Sequence, residues 1–188
     1  MKVERVMMPD PAGLPNIVAF CGFAGAGKST AAKALLGWGY MRHALAAPLK
    51  AAMEAMGVPR AHILDPALKE QPLDLLGGKS ARYAMQTLGT EWGRGMIDDQ
   101  LWLRCWQATK LHPLTVVDDL RFPNEAQYLR QQGARIYRVE RSAMHSDAHP
   151  SEQAHLDIAV DGVFRNGDNV TVDVLQETVR MVIANAAS

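Results

Sequence analysis

Short apolar runs alternate along the chain with segments of helical periodicity. The apolar runs predict strands at 16–21, 40–45, 114–118, 135–140 and 160–165. The intervals predict helices at 28–36, 48–56, 81–88, 100–109, 124–132 and 172–184. Because alternation of strand and helix is typical of a parallel sheet with helices on both faces, the predicted fold class is α/β, with a five-stranded, mainly parallel sheet in three layers.

Two intervals are too long to be simple crossovers. Residues 44–109 separate the second and third strands and predict a helical insertion into a core of residues 16–43 and 110–188. Residues 141–156 have no clear apolar period and include His145 and His149. A long segment of this kind is usually a functional lid or a disordered stretch, so we expect a short lid there.

Composition narrows the function classes. The 188 residues suit one domain with an insertion, and Lys+Arg and Asp+Glu are equal at 20 each. A zero net charge argues against nucleic-acid binding as the main role.

The two cysteines, Cys21 and Cys105, predict buried thiols in a reducing cytoplasm. No stretch has membrane-spanning length, and no apolar signal sequence precedes the fold, so a cytoplasmic location is expected.

A glycine-rich segment at 22–30, GFAGAGKST, lies between the first predicted strand and the first predicted helix. This order matches a phosphate-binding P-loop, in which glycines let backbone amides face one anion at a helix N-terminus. Lys28 can reach the β- and γ-phosphates of a nucleotide, and Ser29 can ligate Mg²⁺. The predicted triphosphate site consists of Gly22, Ala24, Gly25, Ala26, Gly27, Lys28, Ser29 and Thr30.

The third predicted strand ends in two aspartates, Asp118 and Asp119, followed by Arg121. Ligands in parallel sheets bind at the carboxyl ends of strands, where a carboxylate can organise Mg²⁺. We expect Asp118 to cap the following turn and Asp119 to serve the metal. Arg121 is interpreted either as a ligand of a substrate phosphate or as a surface arginine.

The insertion carries a second cluster of candidate ligands. Ser80 predicts a helix N-cap and Gly89 a helix end. Arg82 and Gln86 are four residues apart, so they share a helical face that suits a nucleoside monophosphate. Trp92 is interpreted as a base-stacking ring or as a core residue.

Three further segments carry a resemblance to a known family: 86–94 (QTLGTEWGR), 119–126 (DLRFPNEA) and 149–152 (HPSE). With the P-loop, they resemble the bacteriophage-type deoxynucleoside monophosphate kinases. The resemblance extends from about residue 17 to residue 175. It implies a P-loop kinase fold and transfer of the γ-phosphoryl group of ATP to a deoxynucleoside 5′-monophosphate, with Mg²⁺. It also implies a location in the host cytoplasm if the protein is phage-encoded.

The resemblance also implies site residues. Lys28 and Ser29 take the triphosphate and metal, Asp119 lies by the metal, directly or through water, and the acceptor site is lined by Arg82, Gln86, Arg94 and Arg121. The segment 141–155 offers only Arg141 as an arginine, which makes it the candidate for stabilising the transferring phosphoryl group. Asn166 is interpreted as an adenine contact through its backbone or as an ordinary turn residue.

Several alternatives stay open at this stage. A different small-molecule P-loop kinase, such as one acting on dephospho-coenzyme A, would share the P-loop but would not explain residues 89–94. A P-loop ATPase linked to nucleic acid and a regulatory nucleotide sensor are the other candidates. The bases accepted, the choice between ribose and deoxyribose, and homodimerisation are also left open.

Overall fold

The structure is a computed structural model that describes residues 10, 13–141 and 153–186. These residues fall into two units, which we call the core unit (Met1–Ala44 with Leu111–Ser188) and the insertion unit (Leu45–Lys110). In the described parts of the chain, no helix is both long and apolar enough to cross a membrane.

The elements are numbered along the chain. The strands are β1 (Ile17–Cys21), β2 (Met41–Arg42), β3 (Pro72–Leu73), β4 (Lys79–Ser80), β5 (Thr115–Leu120), β6 (Arg135–Glu140) and β7 (Gly162–Arg165). The α-helices are α1 (Lys28–Leu36), α2 (Ala47–Ala55), α3 (Arg60–Leu64), α4 (Ala81–Gln86), α5 (Leu101–Gln107), α6 (Pro123–Gln131) and α7 (Val172–Asn185). A π-helix spans Thr87–Ile97, and 3₁₀-helices span Asp74–Leu76 and Ala154–Asp157.

The core unit contains a five-stranded sheet in the order β2-β5-β1-β6-β7, and every pairing is parallel. The predicted α/β class with a five-stranded parallel sheet is therefore confirmed. Strand β1 lies at the centre, and all five of its residues are buried. A continuous apolar run at 17–21 is the sequence expected of a strand that is covered on both faces.

Helix α1, which begins at the glycine-rich loop, is fixed to the core by α7. Leu35 of α1 and Val179 and Ile183 of α7 are buried in one apolar cluster. The Nε of Arg180 also donates a hydrogen bond to the carbonyl of Ala34 at 3.1 Å. Both elements that flank the loop, β1 and α1, are therefore packed into the core.

The observed bounds agree closely with the predicted ones for β6 and α1. Strand β2 is shorter than predicted, because it lies at the edge of the sheet and, among the described strands, pairs only with β5. Strand β5 continues two residues beyond the predicted end, to Leu120. That extension changes the position of the two aspartates.

The insertion unit is built around a small apolar cluster of Met53, Val58, Ile63 and Ala81. A two-stranded antiparallel hairpin, β3–β4, precedes α4. The predicted end of a helix at Gly89 is wrong, because α4 continues into the π-helix as far as Ile97.

Gly89 is needed for close packing and not for termination. A Cβ at this position would lie 2.9 Å from Cδ2 of Leu49 on α2, which is closer than side chains approach without moving. The Gly89 carbonyl accepts a hydrogen bond from Nε1 of Trp102 at 2.8 Å. Leu49 and Trp102 both pack against the helix at Gly89, although the local sequence predicts that the helix ends there.

The prediction of two buried thiols is confirmed for Cys21 and wrong for Cys105. Cys21 is buried in β1, and that burial raises the pKa of its thiol. Cys105 is exposed. On α5, the buried residues are Leu103 and Trp106, and Cys105 faces away from the core.

Candidate active site

The glycine-rich loop turns tightly between β1 and α1. Gly22, Gly25 and Gly27 have φ angles of 136°, 76° and 107°, which residues with side chains rarely adopt. A Cβ on Gly22 would also collide with the carbonyl oxygen of Val139 on β6. The first intrahelical hydrogen bond shown for α1 joins the Ala31 amide to the Gly27 carbonyl at 2.9 Å. The amides before it lie at the positive end of the helix dipole, an arrangement that suits an anion.

Lys28 is the first residue of α1 and folds back over the loop. Its Nζ donates hydrogen bonds to the carbonyl oxygens of Gly22 and Phe23, each at 2.7 Å. The ammonium group therefore lies beside the loop that is predicted to hold phosphates. Of the other predicted loop ligands, Gly25 and Ser29 are exposed, Ala24 and Thr30 are half-buried and Ala26 is buried.

The two aspartates of β5 lie at a β-bulge next to β1. Thr115 to Val117 pair in register with β1, but the next pair joins Leu120 to Cys21. One extra residue is therefore accommodated at Asp118 and Asp119. A bulge changes the direction of side chains and is common beside active sites. Here Asp118 is buried and Asp119 is half-buried.

Asp118 does not cap the following turn, so that prediction is wrong. Because β5 continues to Leu120, Asp118 lies inside the strand and its Oδ1 accepts a hydrogen bond from Nε of Arg42 at 2.7 Å. Its Oδ2 is buried and has no hydrogen-bond partner in the described parts of the chain. An unpaired carboxylate oxygen beside the P-loop strand is the kind of group that a hard cation or its water shell satisfies.

The turn after β5 is instead capped by Glu125 of α6. Its Oε2 accepts hydrogen bonds from the backbone amides of Arg121 and Phe122, both at 3.1 Å. Sequence reasoning missed this role. Its signal was a glutamate at the third position of a helix that begins with Pro123, the spacing of a capping box. Glu125 therefore fixes the backbone that carries Arg121.

Arg42 and His43, at the end of β2, are candidate site residues that sequence reasoning missed. The His43 amide donates to the Val116 carbonyl at 3.0 Å, which holds this end of β2 against β5. Burial lowers the pKa of His43, and the nearby Asp119 carboxylate opposes that change. Only the pairing of β2 with β5 brings these basic side chains to the two aspartates.

A second contact joins the loop to the last residues of the predicted lid, 141–156. The Phe23 ring meets the buried His155 ring edge to face, with centroids 4.5 Å apart. Nη2 of Arg138 donates to the carbonyls of His155, Leu156 and Ile158, at 3.2, 3.2 and 2.9 Å. The 3₁₀-helix at Ala154–Asp157 is therefore held against β6 and the phosphate loop.

Most of the predicted lid lies outside the described residues. Residues 142–152, with His145 and His149, belong to that part of the chain. Arg141 follows β6 directly and is exposed. Its contact with a transferring phosphoryl group stays a prediction.

Asn166 follows β7 and reaches the loop. Its Nδ2 donates to the Ala26 carbonyl at 2.8 Å, and its backbone amide donates to the Glu140 carbonyl at 2.6 Å. The sequence suggested a contact between its backbone and a base. That contact stays a prediction, and the side chain is directed at the phosphate loop.

In the insertion unit, Arg82 and Gln86 share a face of α4. The predicted N-cap of this helix is confirmed, since Oγ of Ser80 accepts from the Tyr83 amide at 3.2 Å. The guanidinium of Arg82 forms an ion pair with Glu70. Gln86 is half-buried at the last position of α4.

Trp92 and Arg94 lie in the π-helix and not in a loop. Trp92 is 43% exposed, and its ring centroid is 6.4 Å from that of Trp102. Nη1 of Arg94 donates to the Asp99 carbonyl at 2.7 Å. A partly exposed ring is chemically suited to stack on a base, but base stacking by Trp92 stays a prediction.

The predicted donor-site and metal-site residues all fall in the core unit, and so does Arg121, which is predicted to line the acceptor site. The other predicted acceptor residues, Arg82, Gln86, Trp92 and Arg94, all fall in the insertion unit. Among the described residues, no three His, Cys, Asp or Glu side chains cluster as a metal site. The hydroxyl of Ser29 and the carboxylate of Asp119 are oxygen donors of the type that Mg²⁺ prefers, so they fit the predicted metal.

Comparisons with known proteins identify relatives. A protein of Acanthamoeba polyphaga mimivirus, provisionally named deoxynucleotide monophosphate kinase, is 29% identical over 158 residues, covering 72% of this chain and 80% of that protein. The crystal structure of TT1252 from Thermus thermophilus superposes with a TM-score of 0.48 and 17% identity, covering 92% of this chain and 98% of that chain.

A family model, described as deoxynucleotide monophosphate kinase, matches residues 75–179. The matched range includes the segments 86–94 and 119–126 that carried the resemblance, whereas the P-loop lies before it. The P-loop is therefore evidence for a nucleotide site in addition to the family match. Because the match covers more than half of the 188 residues, the chain belongs to the deoxynucleotide monophosphate kinase family, which supports a nucleotide kinase activity.

Proposed function

We propose that the protein transfers the γ-phosphoryl group of ATP to a deoxynucleoside 5′-monophosphate, giving ADP and the diphosphate. The observation that carries this proposal is the P-loop geometry, in which three glycines have positive φ and Lys28 folds back onto the carbonyls of Gly22 and Phe23. Family membership supports a deoxynucleotide acceptor. The loop supports a polyphosphate donor, which the family match alone does not describe.

The donor is held by the phosphate loop of the core unit. Backbone amides at the start of α1 bind the phosphate oxygens, and the Lys28 ammonium stabilises charge on the β- and γ-phosphates. Ser29 and Asp119 would hold Mg²⁺, Asp119 directly or through water. When bound, the metal neutralises charge that develops on the phosphate oxygens.

The acceptor is held by the cationic side chains of the insertion unit, and the role predicted for Arg121 of the core unit stays a prediction. Arg82 uses one edge of its guanidinium for Glu70, and a guanidinium has five N–H donors. A planar guanidinium of this kind suits the oxygens of a phosphate as well as those of a carboxylate. Gln86, on the same helical face, supplies an amide that can hydrogen-bond to a base edge, and Trp92 a ring on which a base can stack.

The reaction needs no protein nucleophile. An anionic oxygen of the acceptor phosphate forms the new bond to the γ-phosphorus, and the bond to the β–γ bridging oxygen breaks as ADP leaves. Since the attacking oxygen carries charge already, little help from a general base is required. Alignment of the two nucleotides and cationic stabilisation by Lys28 and Arg141 supply most of the catalysis.

The test is a panel of ribo- and deoxyribonucleoside monophosphates, assayed with ATP and Mg²⁺ for diphosphate formation. We expect at least one deoxynucleoside monophosphate to be converted. Dephospho-coenzyme A in the same panel tests the alternative kinase, and duplex DNA tests a DNA-stimulated ATPase. Conversion of dephospho-coenzyme A alone, or ATP hydrolysis that responds to DNA without any transfer, would contradict the proposal.

A further inference from the structure

Asn166 links the end of the sheet to the phosphate loop across a sequence separation of 140 residues. Its amide nitrogen faces the Ala26 carbonyl at 2.8 Å, and a carbonyl can only accept. Ala26 is 1% exposed, so its carbonyl needs a partner inside the protein. The Asn166 backbone is itself held by the 2.6 Å hydrogen bond to Glu140. The amide group therefore projects from a fixed position.

This hydrogen bond sets the direction of one peptide plane in the loop. The carbonyl of Ala26 and the amide of Gly27 belong to the same trans peptide, so they point in opposite directions. When Asn166 holds the carbonyl on its own side, the Gly27 N–H is turned to the other side. A Cβ on Gly27 would lie 2.5 Å from Nδ2 of Asn166. The close approach of this side chain therefore requires glycine at position 27.

We infer that Asn166 is a positioning residue that orients the Gly27 amide toward the bound phosphates of the donor. The inference rests on the proposed function, because it assigns a role within the same donor site. It differs from the expectation of a base contact. A base contact affects only ligands that carry a base, whereas an oriented loop amide affects every ligand that carries the phosphate chain.

The experiment uses two probes, ATP and inorganic tripolyphosphate, with binding measured by calorimetry on the full chain. Asn166→Ala removes the donor group, and Asn166→Leu removes it while keeping the branched shape. Asn169→Ala is the matched control, because Asn169 is exposed in the same turn. We expect both Asn166 variants to weaken ATP and tripolyphosphate alike, by about three- to tenfold, the effect of one hydrogen bond. The control should leave both affinities unchanged.

Steady-state kinetics supply a second readout. The KM for ATP should rise by the same factor, while the KM for the monophosphate stays at the wild-type value. Thermal unfolding of each variant tests whether it is folded. If Asn166→Ala does not fold, Asn166→Leu provides the binding measurement.

Three results would overturn the inference. Weakened ATP binding with unchanged tripolyphosphate binding would indicate a base contact. An equal loss in Asn169→Ala would assign the effect to the whole turn. Unchanged binding of both probes by both Asn166 variants would show that Asn166 does not position the loop amide. A wild-type protein that bound neither probe would instead overturn the proposed function itself, and the inference with it.

Discussion

Arg42 on β2 and Asp118 on β5 form an ion pair, with Nε and Oδ1 2.7 Å apart, in which only the arginine meets solvent. The Arg42 side chain is 50% exposed and the Asp118 side chain 0%. The pair joins the edge strand to the strand that carries the proposed metal ligand, Asp119. Its loss would leave a buried carboxylate without its cation, which costs more than loss of a surface pair.

We therefore predict that Arg42→Ala lowers the free energy of unfolding by about 1–3 kcal/mol, the usual cost of an unsatisfied buried charged group. Asp118→Asn in the Arg42→Ala background should recover part of that loss, because it removes the charge. Urea unfolding of the two single variants and the double variant gives a coupling free energy. We expect at least about 1 kcal/mol; additive effects of the two changes would contradict the interpretation.

Lys28→Ala should lower kcat by about 10²–10³-fold, as expected when one preorganised donor to a charged transition state is removed. Lys33→Ala is the control, since Lys33 is an exposed lysine of the same helix. A coupled assay of ADP formation measures both. Wild-type turnover in Lys28→Ala, or an equal loss in Lys33→Ala, would count against the P-loop as the donor site.

Removal of the metal should abolish turnover. With EDTA present no diphosphate should form, and added Mg²⁺ should restore the activity. Ser29→Ala should raise the Mg²⁺ concentration for half-maximal rate by about tenfold or more, and Ser29→Thr, which keeps the hydroxyl, should not. Asp119→Asn should act in the same direction as Ser29→Ala. A Mg²⁺ titration that is unchanged in both variants would exclude these residues as the metal ligands.

Arg82→Ala should raise the KM for the monophosphate by roughly 10–100-fold, because a hydrogen-bonded charge contact to phosphate is lost. The KM for ATP should stay at the wild-type value. Arg60→Ala is the matched control, since Arg60 also pairs with a glutamate, Glu54, in the insertion unit. If Arg82→Ala changed only the dependence on ATP, the assignment of the acceptor site would be wrong.

Two glycines of the π-helix should respond in opposite ways to alanine. A Cβ on Gly93 would collide with the Trp102 ring and lie 3.0 Å from the Leu88 carbonyl, whereas the nearest atom to a Cβ on Gly95 is the Thr90 carbonyl oxygen at 3.5 Å. Gly93→Ala should therefore destabilise the protein by about 1–3 kcal/mol.

Gly95→Ala should be neutral, or stabilising by up to about 1 kcal/mol, because alanine is the better helix former. Thermal and urea unfolding of both variants measure the difference. Equal destabilisation by the two substitutions would show that helix propensity, and not the contact with Trp102, decides the cost.

Features with a local physical cause were predicted well from the sequence. The bounds of α1 follow from a glycine-rich loop before it and from the run of helix formers at 31–36 within it. Ser80 caps α4 because its hydroxyl needs only the amide three residues later. Gly89 shows the limit of local reasoning. A glycine ends helices and also permits close packing, and only the positions of Leu49 and Trp102 decide between the two.

The sequence by itself determined the α/β class, the phosphate loop and the family segments, since each depends on residues that are neighbours in the chain. The tertiary structure alone decided which side chains meet at the site. The order β2-β5-β1 brings Arg42 to Asp118, a bulge in β5 separates the surroundings of Asp118 and Asp119, and the turn after β7 brings Asn166 to Ala26. The physical reason is that strand order and register arise from packing across the whole sheet, so no short segment specifies them.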